Sequence, residues 1–185
     1  MFTKRFARGF MAAVVLVAAV FATVAEGEEK SSDSKTTEAP ASTQQAPIPL
    51  GTAVEVAKGW DVKVDSAQLD ANATVAQDNQ FIKPDAGKQF VLVNVSITNK
   101  SDQPAAVFTN LKLSLLPPNG VALDTSLMGS VPNKIDTTAQ LQPGATVTGA
   151  LVFEVPSDAV NGSVLLGQSV FTLDAKKDQK FFAIQ

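Results

Sequence analysis

Carboxylates are the side chains of this sequence with the widest chemical scope. Asp61 and Asp65 alternate with apolar residues in one predicted strand, and Asp70, Asp78 and Asp85 follow in the next segment. Carboxylate oxygens are preferred ligands of Ca²⁺, so these five residues are candidate calcium ligands in a calcium-dependent adhesion or structural domain. Their spacing does not match the Asp-x-Asp-x-Asp-Gly pattern of calcium loops. The sequence therefore favours solvated acids on a strand face and in loops, without a metal site.

The remaining composition excludes most catalytic chemistry. The 185 residues include no His, no Cys and no Tyr. A Ser-His-Asp triad, a thiol nucleophile, a disulfide and a nitrogen- or sulfur-ligated zinc site are therefore impossible. No glycine-rich nucleotide loop and no Ser-x-x-Lys motif that opens a helix is present. We predict that the protein is not an enzyme and uses no cofactor, with a small secreted carboxylate hydrolase as a third hypothesis.

The N-terminus has the pattern of an export signal. Residues 1–8 carry three positive charges, residues 9–25 are uncharged and mostly apolar, and the first acid is Glu26. This order is typical of a secretory signal peptide, here with cleavage after Ala25. The alternative is an uncleaved anchor, whose 17 residues are at the short end of what spans a bilayer. We predict a secreted or cell-envelope protein that contacts the membrane only if the segment stays uncleaved.

Charge argues against nucleic acid as a partner. Cleavage after Ala25 would leave 12 lysines and 18 acidic residues, a net charge of −6, and would remove the only arginines, Arg5 and Arg8. A chain without arginine lacks the side chain that most often reads phosphate and guanine. The predicted partner is instead an unidentified envelope or extracellular protein.

Residues 26–50 form a predicted linker. They are rich in Glu, Ser, Thr, Gln and Pro and contain almost nothing apolar before Ile48. Such a stretch cannot bury enough surface to offset the entropy of ordering it. We predict three regions: a signal peptide (residues 1–25), a disordered linker (residues 26–50) and one folded domain (residues 51–185).

The folded region has a period of two residues. In residues 90–99, Val91, Val93, Val95 and Ile97 face one way and polar residues face the other. The same alternation predicts strands at residues 60–65, 111–116, 121–123, 146–155, 163–166, 170–173 and 180–184. Turn signals such as Pro-Asn-Gly at 118–120 separate these strands, and no helical period occurs outside residues 9–25. We predict an all-β antiparallel sandwich of about seven to nine strands.

The core of this sandwich must be held by packing alone, because no disulfide is available. Its predicted core residues are Trp60, Val93, Val95, Leu113, Leu151 and Phe153. Truncating one of the large side chains to Ala should cost about 2–5 kcal/mol.

Two long segments are candidate binding surfaces. They are residues 123–141, which have weak periodicity, and the predicted loop at residues 69–84. Phe108 and Met128 lie in or near loops where a binding surface could form. Loops on a rigid scaffold often carry function.

Two blocks of sequence resemble a known family. Residues 87–100, GKQFVLVNVSITNK, resemble the opening core strand of telokin-like, immunoglobulin-like domains of secreted bacterial proteins and lipoproteins. The Pro-Gly turn at 143–144, followed by the strand that closes at Pro156, is similar to the second signature of that family. The resemblance covers about residues 50–185. It implies an exported immunoglobulin-like module, similar to the immunoprotective extracellular antigen superfamily, in a family of unknown function without catalytic residues. Many relatives carry a lipidated Cys after the signal, and this chain has none.

Overall fold

Alternating apolar and polar residues form antiparallel strands along most of the described chain. The computed structural model describes residues 46–126, 131–171 and 178–185. These residues contain β1 (Ala53–Ala57), β2 (Trp60–Gln68), α1 (Asn72–Asp78), β3 (Lys88–Asn99), β4 (Ala105–Ala106), a 3₁₀ helix (Val107–Thr109), β5 (Leu111–Leu116), β6 (Gln140–Leu141), β7 (Thr146–Pro156), β8 (Val164–Ser169) and β9 (Lys180–Ala183). The predicted all-β fold class is confirmed.

Most strands belong to two antiparallel sheets. The larger sheet has the order β1-β2-β3-β7, and the smaller one has the order β5-β8-β9. β3 and β7 pair along nearly their whole length, from Lys88 opposite Pro156 to Thr98 opposite Thr146. β4 and β6 form a short separate pair. β3 and β7, the two longest strands, therefore lie side by side, with β3 in the interior of the larger sheet and β7 at its edge.

A bulge in β2 keeps its apolar residues facing inward. Val62 and Val64 point into the core, but the register against β3 shifts between Val64 and Ser66, and Ala67 then lies opposite Val93. The extra residue, Asp65, stays on the outer face, where it contacts Ser96. A bulge of this kind changes which alternate positions face the core, so the strand continues without burying a charge.

The two sheets enclose a single main core. The six predicted core residues are all buried there, and Leu113 is the most exposed of them at 9%. The largest fully buried side chains of this core include Trp60, Phe153 and Phe182. Because β2, β3, β5, β7, β8 and β9 all contribute, this core defines the chain as a β-sandwich.

A second apolar cluster lies on the outer face of the larger sheet. Phe90 and Leu92 of β3 and Val152 of β7 point outward and are covered by Val75 of α1 and by Val131. The prediction that the domain contains no helix, and that residues 69–84 are a loop, is therefore wrong for Asn72–Asp78. The reason is that this short helix is stabilised by burying Val75 against the sheet, not by a long helical period.

The segment between β5 and β6 leads from the smaller sheet to the short pair formed by β4 and β6. We call residues 123–139 the crossover segment; its described residues are 123–126 and 131–139. It runs beside the outer edge of β7, where Ala150 N–H donates to Asn133 O at 2.8 Å and Ile135 N–H donates to Ala150 O at 3.0 Å. A Cβ at Gly149 would lie only 2.7 Å from Asn133 O. The close approach therefore requires glycine at this position.

Asn99, at the end of β3, is fully buried and fully hydrogen-bonded. Its Nδ2 donates to the carbonyls of Gln103 and Leu141, both at 2.9 Å. Its Oδ1 accepts from the N–H of Ser101 at 2.9 Å and from the Ser101 hydroxyl at 2.6 Å. This side chain therefore joins the loop after β3 to strand β6.

The folded region begins before the predicted boundary at Gly51. Ile48 forms a parallel bridge with Phe182: its N–H donates to Phe181 O at 2.7 Å, and Ala183 N–H donates to its carbonyl at 2.8 Å. Residues 46–50 are thus continuous with the sandwich. The predicted signal peptide (residues 1–25) and residues 26–45 of the predicted linker lie outside the described residues.

Two predicted strands differ from the structure. Residues 121–123 make only an isolated bridge between Leu115 and Leu123 after the predicted turn. The predicted pair at residues 163–166 and 170–173 contains one strand, β8, which continues to Ser169. Val170 and Phe171 lie in a turn, and residues 172–177 are outside the described residues.

Candidate functional site

An open apolar groove lies where the edge of the smaller sheet approaches β7. It has a volume of about 460 Å³. Its apolar lining consists of Val107, Phe108, Leu111, Leu113, Leu151 and Val170, and its polar lining consists of Lys112, Asp124, Thr125 and Thr137. We call it the Phe108 groove. Its volume is in the range of sites that take small molecules or the side chains of a partner.

The floor of the Phe108 groove belongs to the main core. Leu111 and Leu113 of β5 and Leu151 of β7 are buried members of the core and also line the groove. The groove is therefore a shallow opening into the sandwich between two sheet edges. Its base is fixed by the packing of both sheets.

The rim exposes two large apolar side chains. Phe108 is 55% exposed and Val170 is 48% exposed. The 3₁₀ helix presents Phe108, whose N–H donates to Thr137 O at 3.1 Å, and the Thr109 hydroxyl closes the same turn by donating to Ala106 O at 2.8 Å. Phe108 is thus anchored to the crossover segment while its ring remains accessible.

The polar side of the groove carries one ion pair. Lys112 Nζ lies 3.2 Å from Asp124 Oδ1, and the buried Ser114 hydroxyl donates to the same oxygen at 3.1 Å. Half of Lys112 and 70% of Asp124 are exposed, so this pair contributes little to stability. It gives the groove a charged border of both signs.

A tight turn orients the adjoining part of the crossover segment. Asp136 Oδ1 accepts from the Thr138 hydroxyl at 2.6 Å, from Thr138 N–H at 2.9 Å and from Ala139 N–H at 3.2 Å. The hydroxyl of Thr138, followed by the two N–H groups, lowers the pKa of Asp136 below its ordinary value. The turn places Thr137 at the groove.

The five candidate calcium ligands are spread over different surroundings. Asp61 forms an ion pair with Lys100. Asp70 accepts from the N–H of Asn72 at 3.2 Å, and Asp78 is exposed at the end of α1. Within residues 46–126, 131–171 and 178–185, no three acidic side chains lie close enough together to hold a metal ion.

Asp65 forms a hydrogen-bonded group with two neighbours. Its carboxylate lies 2.7 Å from Lys63 Nζ and accepts from the Ser96 hydroxyl at 2.6 Å. Burial raises the pKa of Asp65, but the hydrogen bonds from Lys63 and Ser96 lower it by more, so the net direction is downward.

Asp85 is also paired with a lysine. Its carboxylate lies 2.8 Å from Lys88 Nζ, which is 3.7 Å from Glu154 as well. The hydrogen bond with Lys88 lowers the pKa of Asp85, and the same bond raises the pKa of Lys88. Both Asp65 and Asp85 are therefore kept ionised by lysine.

One of the two predicted binding segments contributes to the groove. Residues 123–141 supply Asp124, Thr125 and Thr137, and the predicted surface residue Phe108 stands at its rim. Met128 lies outside the described residues. Residues 69–84 instead form α1 and its flanking turns, with Phe81 exposed at their end. The sequence did not indicate Val170 as a groove residue, because its apolar neighbours predicted a strand at residues 170–173.

No helix of the described residues has both the length and the apolar character that a bilayer crossing requires. This finding does not include residues 9–25, which lie outside those residues.

A family model described as "Domain of unknown function (DUF4352)" matches residues 56–177. The match begins in β1 and ends between β8 and β9. It therefore includes most of the sandwich and the whole Phe108 groove. No sequence among curated proteins matches the chain.

Several solved bacterial structures are similar to the chain. They include a conserved hypothetical protein from Bacillus anthracis (12% identity, TM-score 0.49, 74% of this chain and 95% of that chain). A second is the yjhA protein from Bacillus subtilis (14% identity, TM-score 0.49, 75% and 99%). A third is an uncharacterized β-sandwich protein from Clostridium difficile (10% identity, TM-score 0.48, 80% and 100%).

Proposed function

Because the chain belongs to the DUF4352 family, whose description assigns no activity, we propose a function from its own residues. We propose that the chain is an exported, non-enzymatic immunoglobulin-like module of the bacterial cell envelope or medium. It acts by binding a protein or another ligand in the Phe108 groove.

The acidic side chains support binding rather than catalysis. A carboxylate that donates a proton near neutral pH needs a raised pKa, as in glycoside hydrolases. Asp65, Asp85 and Asp136 instead have lowered pKa values, because each accepts hydrogen bonds in its charged form. The chain also has no His and no Cys, two further side chains that commonly serve in acid–base or nucleophilic catalysis.

The apolar rim of the Phe108 groove is the observation that carries the proposal. Exposed Phe108 and Val170 stand over a floor of core leucines, next to the ion pair of Lys112 and Asp124. Interfaces combine an aromatic anchor with a polar border in this way. A partner that covers the rim would remove apolar surface from water, which is the main favourable term in association.

Export and the immunoglobulin-like classification rest on other features. The basic residues 1–8 and the apolar residues 9–25 support export. Two antiparallel sheets packed over one core, with the GKQFVLVNVSITNK motif in the central strand β3, support an immunoglobulin-like module.

Site-specific photo-crosslinking tests the binding surface. A benzoyl-phenylalanine is placed at Phe108 or, as a matched control, at Val121 of the full-length protein in its native cells. Val121 is 59% exposed and follows the opposite end of β5. We expect a discrete adduct from position 108 that is absent from position 121, because only the first position borders the groove.

The same adducts from both positions, or none from position 108 while position 121 reacts, would contradict the groove as the binding site. A further substitution, Val170→Asp, should abolish the adduct at 108 while the protein remains folded. Export is tested separately: mass spectrometry of the protein recovered outside the cell should find Glu26 as its first residue, and an intact Met1 would contradict cleavage.

A further inference from the structure

The chain contains two Asn-Gly pairs, and their hydrogen bonding differs. They are Asn119-Gly120, in the turn after β5, and Asn161-Gly162, in the turn between β7 and β8. A glycine after asparagine leaves the backbone nitrogen open to the asparagine side chain, because no Cβ blocks the approach. Both pairs are exposed to water.

Hydrogen bonds hold the first pair in place. Gly120 N–H donates to Pro117 O at 2.9 Å, and Asn119 Oδ1 accepts from Val121 N–H at 3.0 Å. Attack of the Gly120 nitrogen on the Asn119 side chain requires both of these bonds to break. The turn therefore protects Asn119.

In the second pair, the reactive groups themselves carry no such hydrogen bond. The Asn161 side chain and the Gly162 N–H make no hydrogen bond to any of the residues that the structure describes. The turn itself is held on either side of the pair, since Ser163 N–H donates to Val160 O at 3.1 Å and the Ser163 hydroxyl donates to Ala159 O at 2.8 Å. The chain on both sides is therefore ordered while the reactive groups remain accessible.

We propose that Asn161 is a site of spontaneous deamidation, with water as the co-reactant. The Gly162 nitrogen loses its proton and bonds to Cγ of Asn161. The bond between Cγ and Nδ2 breaks, and ammonia leaves. Water then opens the resulting succinimide. If water cleaves the bond between the Gly162 nitrogen and Cγ, the product is Asp. If it cleaves the bond between the Gly162 nitrogen and the main-chain carbonyl carbon of residue 161, the product is isoaspartate.

The product changes a turn that joins the two sheets. Either product adds one negative charge to a chain that already has a net charge of −3. Isoaspartate also adds a methylene to the main chain beside Val160, which is 4% exposed. A Cβ at Gly162 would lie 3.2 Å from Pro118 Cγ, so the modified turn is packed against the turn of the protected pair.

Peptide mass spectrometry tests the proposal with an internal control. The full-length protein is incubated in mildly alkaline buffer and digested with trypsin, which separates Asn119 (residues 113–134) from Asn161 (residues 135–176). Because two ordinary hydrogen bonds must open at Asn119, we expect the mass gain of deamidation to accumulate about tenfold faster at Asn161. In concentrated urea the two rates should become similar, because the fold no longer protects Asn119.

An equal or faster rate at Asn119 in the folded protein would overturn the proposal. An unchanged Asn161 in the folded protein, with conversion in urea, would also overturn it. The variant Asn161→Gln should lose the rapid mass gain in the peptide of residues 135–176 and keep the slow gain at Asn119. A rapid gain that persists in this variant would place the reaction elsewhere.

Discussion

Asn99 shows how one buried polar side chain stabilises a loop. Replacing it with Ala would remove the donor to the Leu141 carbonyl and the acceptor of the Ser101 N–H, while the Gln103 carbonyl would keep the Ser101 hydroxyl as a donor at 3.0 Å. Each unsatisfied group costs about 1–3 kcal/mol, so we expect Asn99→Ala to lower the free energy of unfolding by about 2–4 kcal/mol. Urea unfolding, followed by the fluorescence of the single buried tryptophan, Trp60, measures the loss.

A matched control for this variant is Asn94→Ala in the same strand. Asn94 is partly exposed and bonds to Ser66 and Asn133 side chains that water can also satisfy. We expect a loss below about 1 kcal/mol. Equal losses for the two variants would show that the buried network around Asn99 has no special role.

Three aspartates should make the folded state sensitive to acid. The pKa values of Asp65, Asp85 and Asp136 lie below the ordinary 3.8 in the folded protein. The unfolded chain therefore binds protons more readily than the folded chain. These groups stabilise the fold fully above pH 3.8 and progressively less as the pH falls through their lowered values.

Asp136→Asn isolates one of these contributions. Asparagine keeps the oxygen that accepts from Thr138 but does not titrate. Between about pH 4 and pH 2, the urea midpoint of the variant should therefore fall less than that of the wild type. A steeper loss in the variant would contradict the direction of the Asp136 shift.

Among the elements, the contact between β7 and the crossover segment is the most restrictive. In Gly149→Ala, the new methyl group would meet Asn133 O at 2.7 Å and the Ile135 Cα at 2.8 Å. The crossover segment would have to move, and we expect a cost of about 1–3 kcal/mol. Thr148→Ala, on the exposed side of the same strand, should stay within about 0.5 kcal/mol in the same urea assay. Similar losses in the free energy of unfolding for both variants would show that the crossover segment moves at little cost.

The sequence predicted the long strands better than the short elements. Alternation identifies β3 and β7 because a half-buried strand repeats its apolar residues many times. β1, β4 and β6 are too short for a clear repeat, and α1 begins without a side-chain cap. The outward apolar residues Phe90, Leu92 and Val152 were the available sign that something covers the larger sheet.

The Phe108 groove could be predicted only in part. Loop length pointed to residues 123–141, and a position near a loop pointed to Phe108; both contribute to the groove, whereas residues 69–84 do not line it. The groove itself exists because Leu111 and Leu151, far apart in sequence, meet where two sheet edges approach. Such a long-range meeting depends on strand order, which local patterns do not specify.

For the molecule as a whole, we expect calcium to leave stability unchanged. Asp61, Asp65 and Asp85 each pair with a lysine, and no acidic group of the described residues gathers three carboxylates. Occupied at about a hundred times its dissociation constant, a calcium site would raise the melting temperature by about 5 °C or more. A thermal melt with and without calcium, with magnesium as the control, measures this. A rise specific to calcium would revive the hypothesis of a calcium-dependent domain.

The bridge between Ile48 and Phe182 has a practical consequence for handling the protein. A protein that starts at Gly51 would lack Ile48 and would expose the edge of β9. The unpaired N–H and C=O groups of that edge would pair with a second molecule and promote edge-to-edge aggregation. Preparations that start at Gly51 should therefore scatter more light with storage than those that start at Ala46. The five residues 46–50, of which Ile48 also packs against the main core, would thus determine how long a solution stays clear.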